Sequence, residues 1–389
     1  MKIPLAKPEI TGSDREAVQA VLLTSGLSMG PKLAEFEQAI SDYTGAKHAV
    51  AVNSGTSALQ IAMRALGLER GAEVILPSFT FSALLNVILA EGLVPKFVDI
   101  DADTFNCTPE TIAAAVRART GLVIAVHTFG IPLDVEAVTK ALRNVRVHAG
   151  RTIPVIEDAC EALGADTRSR KAGTIGDAGV FAFYPNKQIT TGEGGMLVTS
   201  DEKLAAHARR LRNQGRDPSL DWNQHTEVGF SYRISDINCA LGISQLKRIE
   251  AVIARRQRLA ETYDRELVRI PEIVRPPLQT KIGRISWFVY PVRLAAAFQA
   301  KDRDWICAAM LRKGIATGRY FAPLHRQPVL AAHSFAERGT RVAPSGLPQT
   351  ELVADRVIAL PFFNELTEKD IQEVCGALEE SIRELRRKT

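Results

Sequence analysis

Along the first half of the chain, short apolar runs alternate with stretches of helical spacing. Strands are expected at residues 48–52, 73–76, 95–100, 122–128 and 153–156, each rich in Val, Ile, Leu or Ala. Between them, residues 56–68, 82–90, 109–117 and 135–142 repeat their apolar positions every three to four residues, as an amphipathic helix does. Thr108 before Pro109 is a natural helix start, since proline suits the first helical position. Near-continuous apolar strands joined by helices predict a parallel sheet covered on both faces.

The rhythm changes after Asp158. Residues 179–184 and 196–199 read as strands separated by a Gly-rich stretch, which suits a hairpin-like connection. Helical periodicity then dominates residues 235–268, with Ile237, Leu241, Ile243, Leu246 and Ile249 on an expected inner stripe. Prolines at 271–277 break it. A smaller α/β unit follows, with a strand at 287–294 and helices at 302–313 and 371–385.

Composition narrows the function classes. At 389 residues the chain holds roughly two to three domains and a sizeable core. Its 49 basic and 44 acidic residues leave a net charge of only +5, against the strongly basic balance expected of a nucleic-acid binder. The cysteines at 107, 160, 239, 307 and 375 are scattered and odd in number, so a reducing, cytoplasmic setting is expected, without disulfides. No metal-ligand spacing, secretory leader or membrane-spanning run is found in the sequence.

Three local features carry candidate chemistry. Asn53-Ser54-Gly55-Thr56-Ser57-Ala58 joins a strand end to a helix start, where free amides and hydroxyls make an anion site. Ile156-Glu157-Asp158-Ala159 puts carboxylates at the C-terminal edge of a buried strand, where open α/β sheets bind ligands. Lys187 sits on a loop before Gly192-Glu193-Gly194-Gly195. Each alone has an ordinary explanation: a Ser/Thr cap, a capping Asp, a solvated lysine. Together they suit pyridoxal 5'-phosphate. The cradle takes the phosphate, Asp158 pairs with the ring nitrogen and Lys187 forms the Schiff base. No G-x-G-x-x-G follows a strand, which disfavours a Rossmann dehydrogenase.

With these motifs the chain resembles the DegT/DnrJ/EryC1/StrS family of sugar aminotransferases. The resemblance also rests on Ser25-Gly26, Gly30-Pro31, Pro77-Ser78-Phe79-Thr80-Phe81, Val126-His127 with Gly130, and Tyr232-Arg233 with Asp236. Gly314-Ile315 and Arg319-Tyr320-Phe321-Ala322-Pro323-Leu324-His325 complete an ordered set over nearly the whole chain. It implies a fold type I α/β architecture: a large, mainly parallel seven-stranded sheet with helices on both faces, and a smaller C-terminal α/β domain. The expected boundaries are an arm at 1–12, the cofactor domain at 13–248 and the small domain at 249–389.

By resemblance, Lys187 and Asp158 are the catalytic pair, and Gly55, Thr56 and Ser57 cradle the phosphate. Phe81 lies against the cofactor ring, an ordinary core phenylalanine being the alternative. Arg233 reaches the phosphate in a neighbouring subunit, its alternative being an intrachain ion pair. The resemblance thus implies a homodimer with active sites at the interface. Tyr320 and His325 are placed near the nucleotide-sugar site, although a structural histidine is an equal reading of His325.

Two departures stand out. Ala182 replaces a serine that many members use for phosphate. Glu161 stands where His or Gln is common; it is expected near the cofactor, as in the branch resembling perosamine synthases, or else bonded to nearby backbone. The basic stretch 203–216 reads mostly as a solvated face, with attraction of an anionic substrate as a second role.

The implied activity moves an amino group from L-glutamate to a nucleotide-linked keto sugar, at C4 rather than C3, in amino-sugar or surface-polysaccharide biosynthesis. The cofactor would cycle through pyridoxamine 5'-phosphate. Two alternatives remain at this point: a pyridoxamine phosphate-dependent sugar dehydratase, whose relatives replace the lysine with histidine, and a regulatory protein that keeps the pocket. Lys187 speaks against the first.

Overall fold

The structure is a computed structural model that describes residues 1–144, 152–168, 170–217, 219–221, 224–332 and 346–388. Its large sheet draws on β1 (His48–Val52), β2 (Glu73–Pro77), β3 (Val94–Val98), β4 (Thr120–Val126) and β5 (Val155–Asp158). A two-stranded ribbon, β6 (Asp166–Thr167) with β7 (Arg170–Lys171), stands apart. After it, β8 (Ala178–Ala182) and β9 (Gly195–Thr199) complete the large sheet in the order β1-β9-β8-β5-β4-β2-β3. The ladder from β3 to β8 is parallel, and β9 runs against both of its neighbours.

The apolar runs explain the layering. All seven residues of β4 are buried, and the alternation of a strand sends them to opposite faces. Leu122, Ile124 and Val126 join one core cluster, Val123 and Ala125 another. In β1, Val50 and Val52 pack on one face and Ala49 and Ala51 on the other. A sheet buried this way needs helices on both sides, as the sequence predicts.

The C-terminal region carries an antiparallel sheet, β10 (Ile273–Val274), β11 (Tyr290–Leu294) and β12 (Val357–Leu360). Helices Ala300–Arg312 and Glu368–Arg386 pack with it around Trp287, Tyr290 and Phe362. The Tyr263 and Tyr290 rings stack at 4.8 Å. At the other terminus Ile3 bridges to Ile315, and the Phe362 amide donates to the Leu5 carbonyl.

Three expectations change. The strand expected from Trp287 begins only at Tyr290, because the Ser286 and Phe288 amides donate to Gly130 and Phe129 carbonyls beside the large sheet. The helix expected over 235–268 is two helices, Asp236–Leu246 and Ile249–Leu267. At the break, Arg248 binds Asp14 and the Glu9 carbonyl.

The inner stripe is also different. Leu246 and Ile249 are buried and Ile243 packs half-buried against the same core, but Ile237 and Leu241 are only half-buried while Cys239, Ala240 and Gly242 face inward. Small residues are required there: a Cβ on Gly242 would lie 2.6 Å from the Phe36 ring. Phe36 belongs to helix Pro31–Thr44, which the periodicity did not reveal.

Candidate active site

The C-terminal edge of the parallel strands opens into a cavity of about 300 Å³, within the range of small-molecule sites. The end of β1 leads into helix Gly55–Ala65, whose cap is Ser54: its Oγ accepts the Ser57 amide at 3.1 Å. The first turn of a helix leaves amides without intrahelical partners, and its dipole favours an anion. Ser54, Gly55 and Thr56 line the cavity at this end. The close approach depends on glycine. A Cβ on Gly55 would sit 2.8 Å from Ala182 Cβ, and one on Gly195 would sit 2.3 Å from the Ser54 carbonyl oxygen.

Asp158 closes β5, is almost fully buried, and lines the same cavity. One of its oxygens accepts the Cys160 amide at 3.1 Å. Burial pushes the neighbouring Cys160 thiol up, and the Asp158 charge pushes it further. Behind Asp158, Glu157 is wholly buried. Burial alone would raise its pKa, but His127 and the amides of Gly176 and Gly173 outweigh that and hold it below the usual range. His127 Nδ1 accepts the Leu133 amide at 3.0 Å, so the proton sits on Nε2, which donates to Glu157 at 3.0 Å. This network anchors the strand that presents Asp158.

Lys187 follows β8 in a turn closed by its amide donating to the Tyr184 carbonyl at 2.9 Å. Its Nζ lies 3.6 Å from Glu161 Oε1 and 3.9 Å from the centre of the Phe288 ring, a cation–π contact. Glu161 lines the cavity, and its other oxygen accepts the Phe129 amide at 2.8 Å. Burial raises the Glu161 pKa, while the Lys187 charge opposes the shift.

Phe81 is largely exposed and forms part of the cavity wall with Tyr320 and Phe321. Burial raises the Tyr320 pKa, and its hydroxyl meets Asn186. Asn186 Oδ1 is buried without a hydrogen-bond partner among the described residues, as expected of a group left for a ligand. An anion site, a buried carboxylate and an amine lining one cavity fit pyridoxal phosphate.

Two expected site residues lie elsewhere, and a third is one expected to serve a neighbouring subunit. Ser57 is buried beneath the cradle. Its hydroxyl donates to Asn53 Oδ1 at 2.7 Å and its amide is taken by Ser54, so both donors are used within the turn. Ser54 stands at the cavity in its place. His325 is absent from the cavity lining because both ring nitrogens are engaged. The Ser78 hydroxyl, which accepts the His325 amide, donates to Nδ1 at 2.7 Å, and Nε2 then donates to Glu351 at 3.2 Å. Its equal structural reading therefore describes it better. Arg233 donates to Asn213 Oδ1 at 3.1 Å and is also outside this chain's cavity lining.

The basic stretch is less free than its sequence implies. His207 and Arg210 pair with Glu227, and Arg209 and Arg212 pair with Glu37. Phe288 gave no local signal, since contacts distant in sequence, among them its amide on the Phe129 carbonyl, bring it to the cavity. Asn186 adjoins Lys187 in the sequence but carries no signal of its own there.

The profile of the DegT/DnrJ/EryC1/StrS aminotransferase family matches residues 8–379. The chain is 36% identical to the GDP-perosamine synthase of Caulobacter vibrioides, over 97% of this chain and 98% of that protein. Among solved structures, an aminotransferase of Streptoalloteichus hindustanus superposes with a TM-score of 0.89 at 30% identity, over 99% of this chain and all of that one. A Streptococcus pneumoniae protein assigned as a sugar aminotransferase, and solved in PMP and PLP forms, matches its PMP form with a TM-score of 0.90 at 25% identity, covering 100% of this chain and 99% of that one. The chain belongs to the DegT/DnrJ/EryC1/StrS family of pyridoxal phosphate-dependent aminotransferases.

Proposed function

We propose that this protein transfers the amino group of L-glutamate to C4 of a nucleotide-linked keto sugar, in amino-sugar or surface-polysaccharide biosynthesis. The observation that carries the reading is the joint placement of Lys187, Asp158 and the amide end of helix Gly55–Ala65 around one cavity. Full-length similarity to a GDP-perosamine synthase supports the sugar class and favours a GDP-linked substrate.

Pyridoxal phosphate, when bound, supplies an electron-accepting ring and the carbon that exchanges the amino group. The protein's part follows from its side chains. Gly55 and Thr56 would hold the phosphate with amides and a hydroxyl. The Asp158 carboxylate would keep a proton on the ring nitrogen, and Phe81 would cover one ring face. Lys187 Nζ would tether the cofactor, then take a proton from the donor Cα and return it as acid. Glu161, 3.6 Å from that amine, would steady its ammonium form between proton transfers. Tyr320 would contact the sugar from the cavity wall.

Arg233, outside its own chain's cavity lining, is read as reaching the phosphate of a second subunit, which makes a homodimer the working unit. Mixing inactive Lys187→Ala and Arg233→Ala proteins should then restore up to one sound site per heterodimer. Mixtures no more active than the separate variants would sink the shared site.

The substrate is tested with the aminated cofactor form and a panel of UDP-, dTDP- and GDP-linked 3-keto and 4-keto sugars. A GDP-linked 4-keto sugar should restore the absorbance of the starting form and yield the amino sugar. Response to 3-keto sugars alone would overturn the C4 assignment, and response to none would overturn the sugar class.

A further inference from the structure

Behind Lys187, on the side away from the cavity, lies Arg256 of helix Ile249–Leu267, 4% exposed. No carboxylate is within ion-pair distance of it among the described residues. Its guanidinium is instead spent on main-chain carbonyls. Nη1 donates to Trp287 and Phe288, each at 3.0 Å, and Nη2 points to the Lys187 carbonyl at a longer 3.4 Å. Nε donates to Asn364 Oδ1 at 3.1 Å, and Asn364 Nδ2 donates in turn to Glu9 at 2.7 Å. Burial lowers the Arg256 pKa to about 10, with Glu9 acting in the opposite sense.

A buried guanidinium is costly to desolvate, and an apolar side chain of similar volume is often the more stable choice. What the arginine adds is geometric. One planar fork joins the main chain of Lys187 to the main chain of Phe288, and the Phe288 ring is the surface on which Lys187 Nζ rests.

We propose that Arg256 is a positioning residue for Lys187, pinning the Lys187 and Trp287–Phe288 carbonyls to one guanidinium so that Nζ is held at the cavity against the Phe288 ring. The proposal rests on the reading of Lys187 as the cofactor lysine. Arg256 itself touches neither cofactor nor substrate; it acts through the backbone, and Glu9 with Asn364 fixes its orientation.

The test follows covalent uptake of added pyridoxal phosphate by the full-length protein. Uptake is read from absorbance, and the attachment site is mapped by borohydride reduction and peptide mass spectrometry. In Arg256→Met the rate should fall about tenfold, since small misplacements of a reacting group are expensive in rate. Arg256→Lys, which keeps a buried donor, should recover part of it. Tyr263→Phe serves as the control for general loosening, because it removes a buried bond to the Pro361 carbonyl and none of the hydrogen bonds made by Arg256. It should lower the unfolding midpoint and leave the uptake rate unchanged.

If Arg256→Met does not fold, Asn364→Ala leaves the arginine present but frees its Nε, and should slow uptake about threefold on the same argument. Unchanged uptake with the cofactor trapped on Lys187 overturns the clamp, as does equal slowing in Tyr263→Phe. Trapping on another residue overturns the reading of Lys187 itself, and the clamp with it.

Discussion

Lys187→Ala should abolish multiple turnover, lowering kcat by at least about 10³-fold, the scale of a lost nucleophile and proton carrier. At 1.36 kcal/mol per factor of ten, that is about 4 kcal/mol of barrier. The fold should survive, because the lysine's contacts in the structure are Glu161 and the Phe288 ring, and alanine leaves the main-chain turn with Tyr184 intact. Cofactor would still bind at the helix end, without covalent attachment. The measurement is steady-state amination with glutamate and keto sugar, beside mass spectrometry of borohydride-treated protein. A variant that completes many cycles at more than a tenth of the wild-type rate would refute the assignment of Lys187.

Asp158→Asn should cost about 10³-fold in the half-reaction with glutamate, comparable to removing one preorganised electrostatic partner at a reacting centre. The substitution keeps the shape and, through its amide oxygen, the bond from the Cys160 amide. What it removes is the charge that would hold a proton on the ring nitrogen. Stopped-flow absorbance with glutamate alone isolates this step from sugar binding. The unfolding midpoint should move little, which separates loss of charge from loss of structure. A half-reaction slowed less than tenfold would mean that another group protonates the ring.

The placement of these two residues was legible because it is set locally. Asp158 ends a four-residue buried strand and Lys187 lies in the loop between β8 and β9, so both fall at one edge of the sheet, while their roles rest on the motifs taken together. The parallel sheet was legible for the same reason: runs such as β4 have no exposed face to confuse the period. Legibility failed where a side chain answers to partners distant in sequence. Phe288 enters the cavity through its pairing with Phe129, and His325 is turned aside by Ser78 and Glu351. Ser57 was misread by one turn of capping geometry, since Ser54 takes its amide.

Helix Pro31–Thr44 did carry signals, with Pro31 at its first position and Gly45, at φ +77°, just past its end. Its apolar spacing is sparse, and its partner is the small-residue face containing Gly242, which a search for large apolar stripes passes over. The division of Asp236–Leu246 from Ile249–Leu267 is likewise set from outside, by Asp14 and Glu9 on Arg248.

The reversed strand β9 has a consequence for how such a site can diversify. Ala182 and Gly195 face each other across the β8–β9 ladder, so the loop carrying Lys187 leaves and re-enters the sheet on the same rung. Its ends are tied whatever happens elsewhere, and closing the loop adds no constraint on other connections. The walls that hold Phe81, Tyr320 and Phe321 belong to separate connections that do not share this tether. On the proposed contact of Tyr320 with the sugar, changes in its connection would alter which acceptor is admitted while leaving the lysine in register with the anion site. Swapping that connection between relatives of different sugar preference should therefore shift acceptor choice, with the β8–β9 loop left untouched.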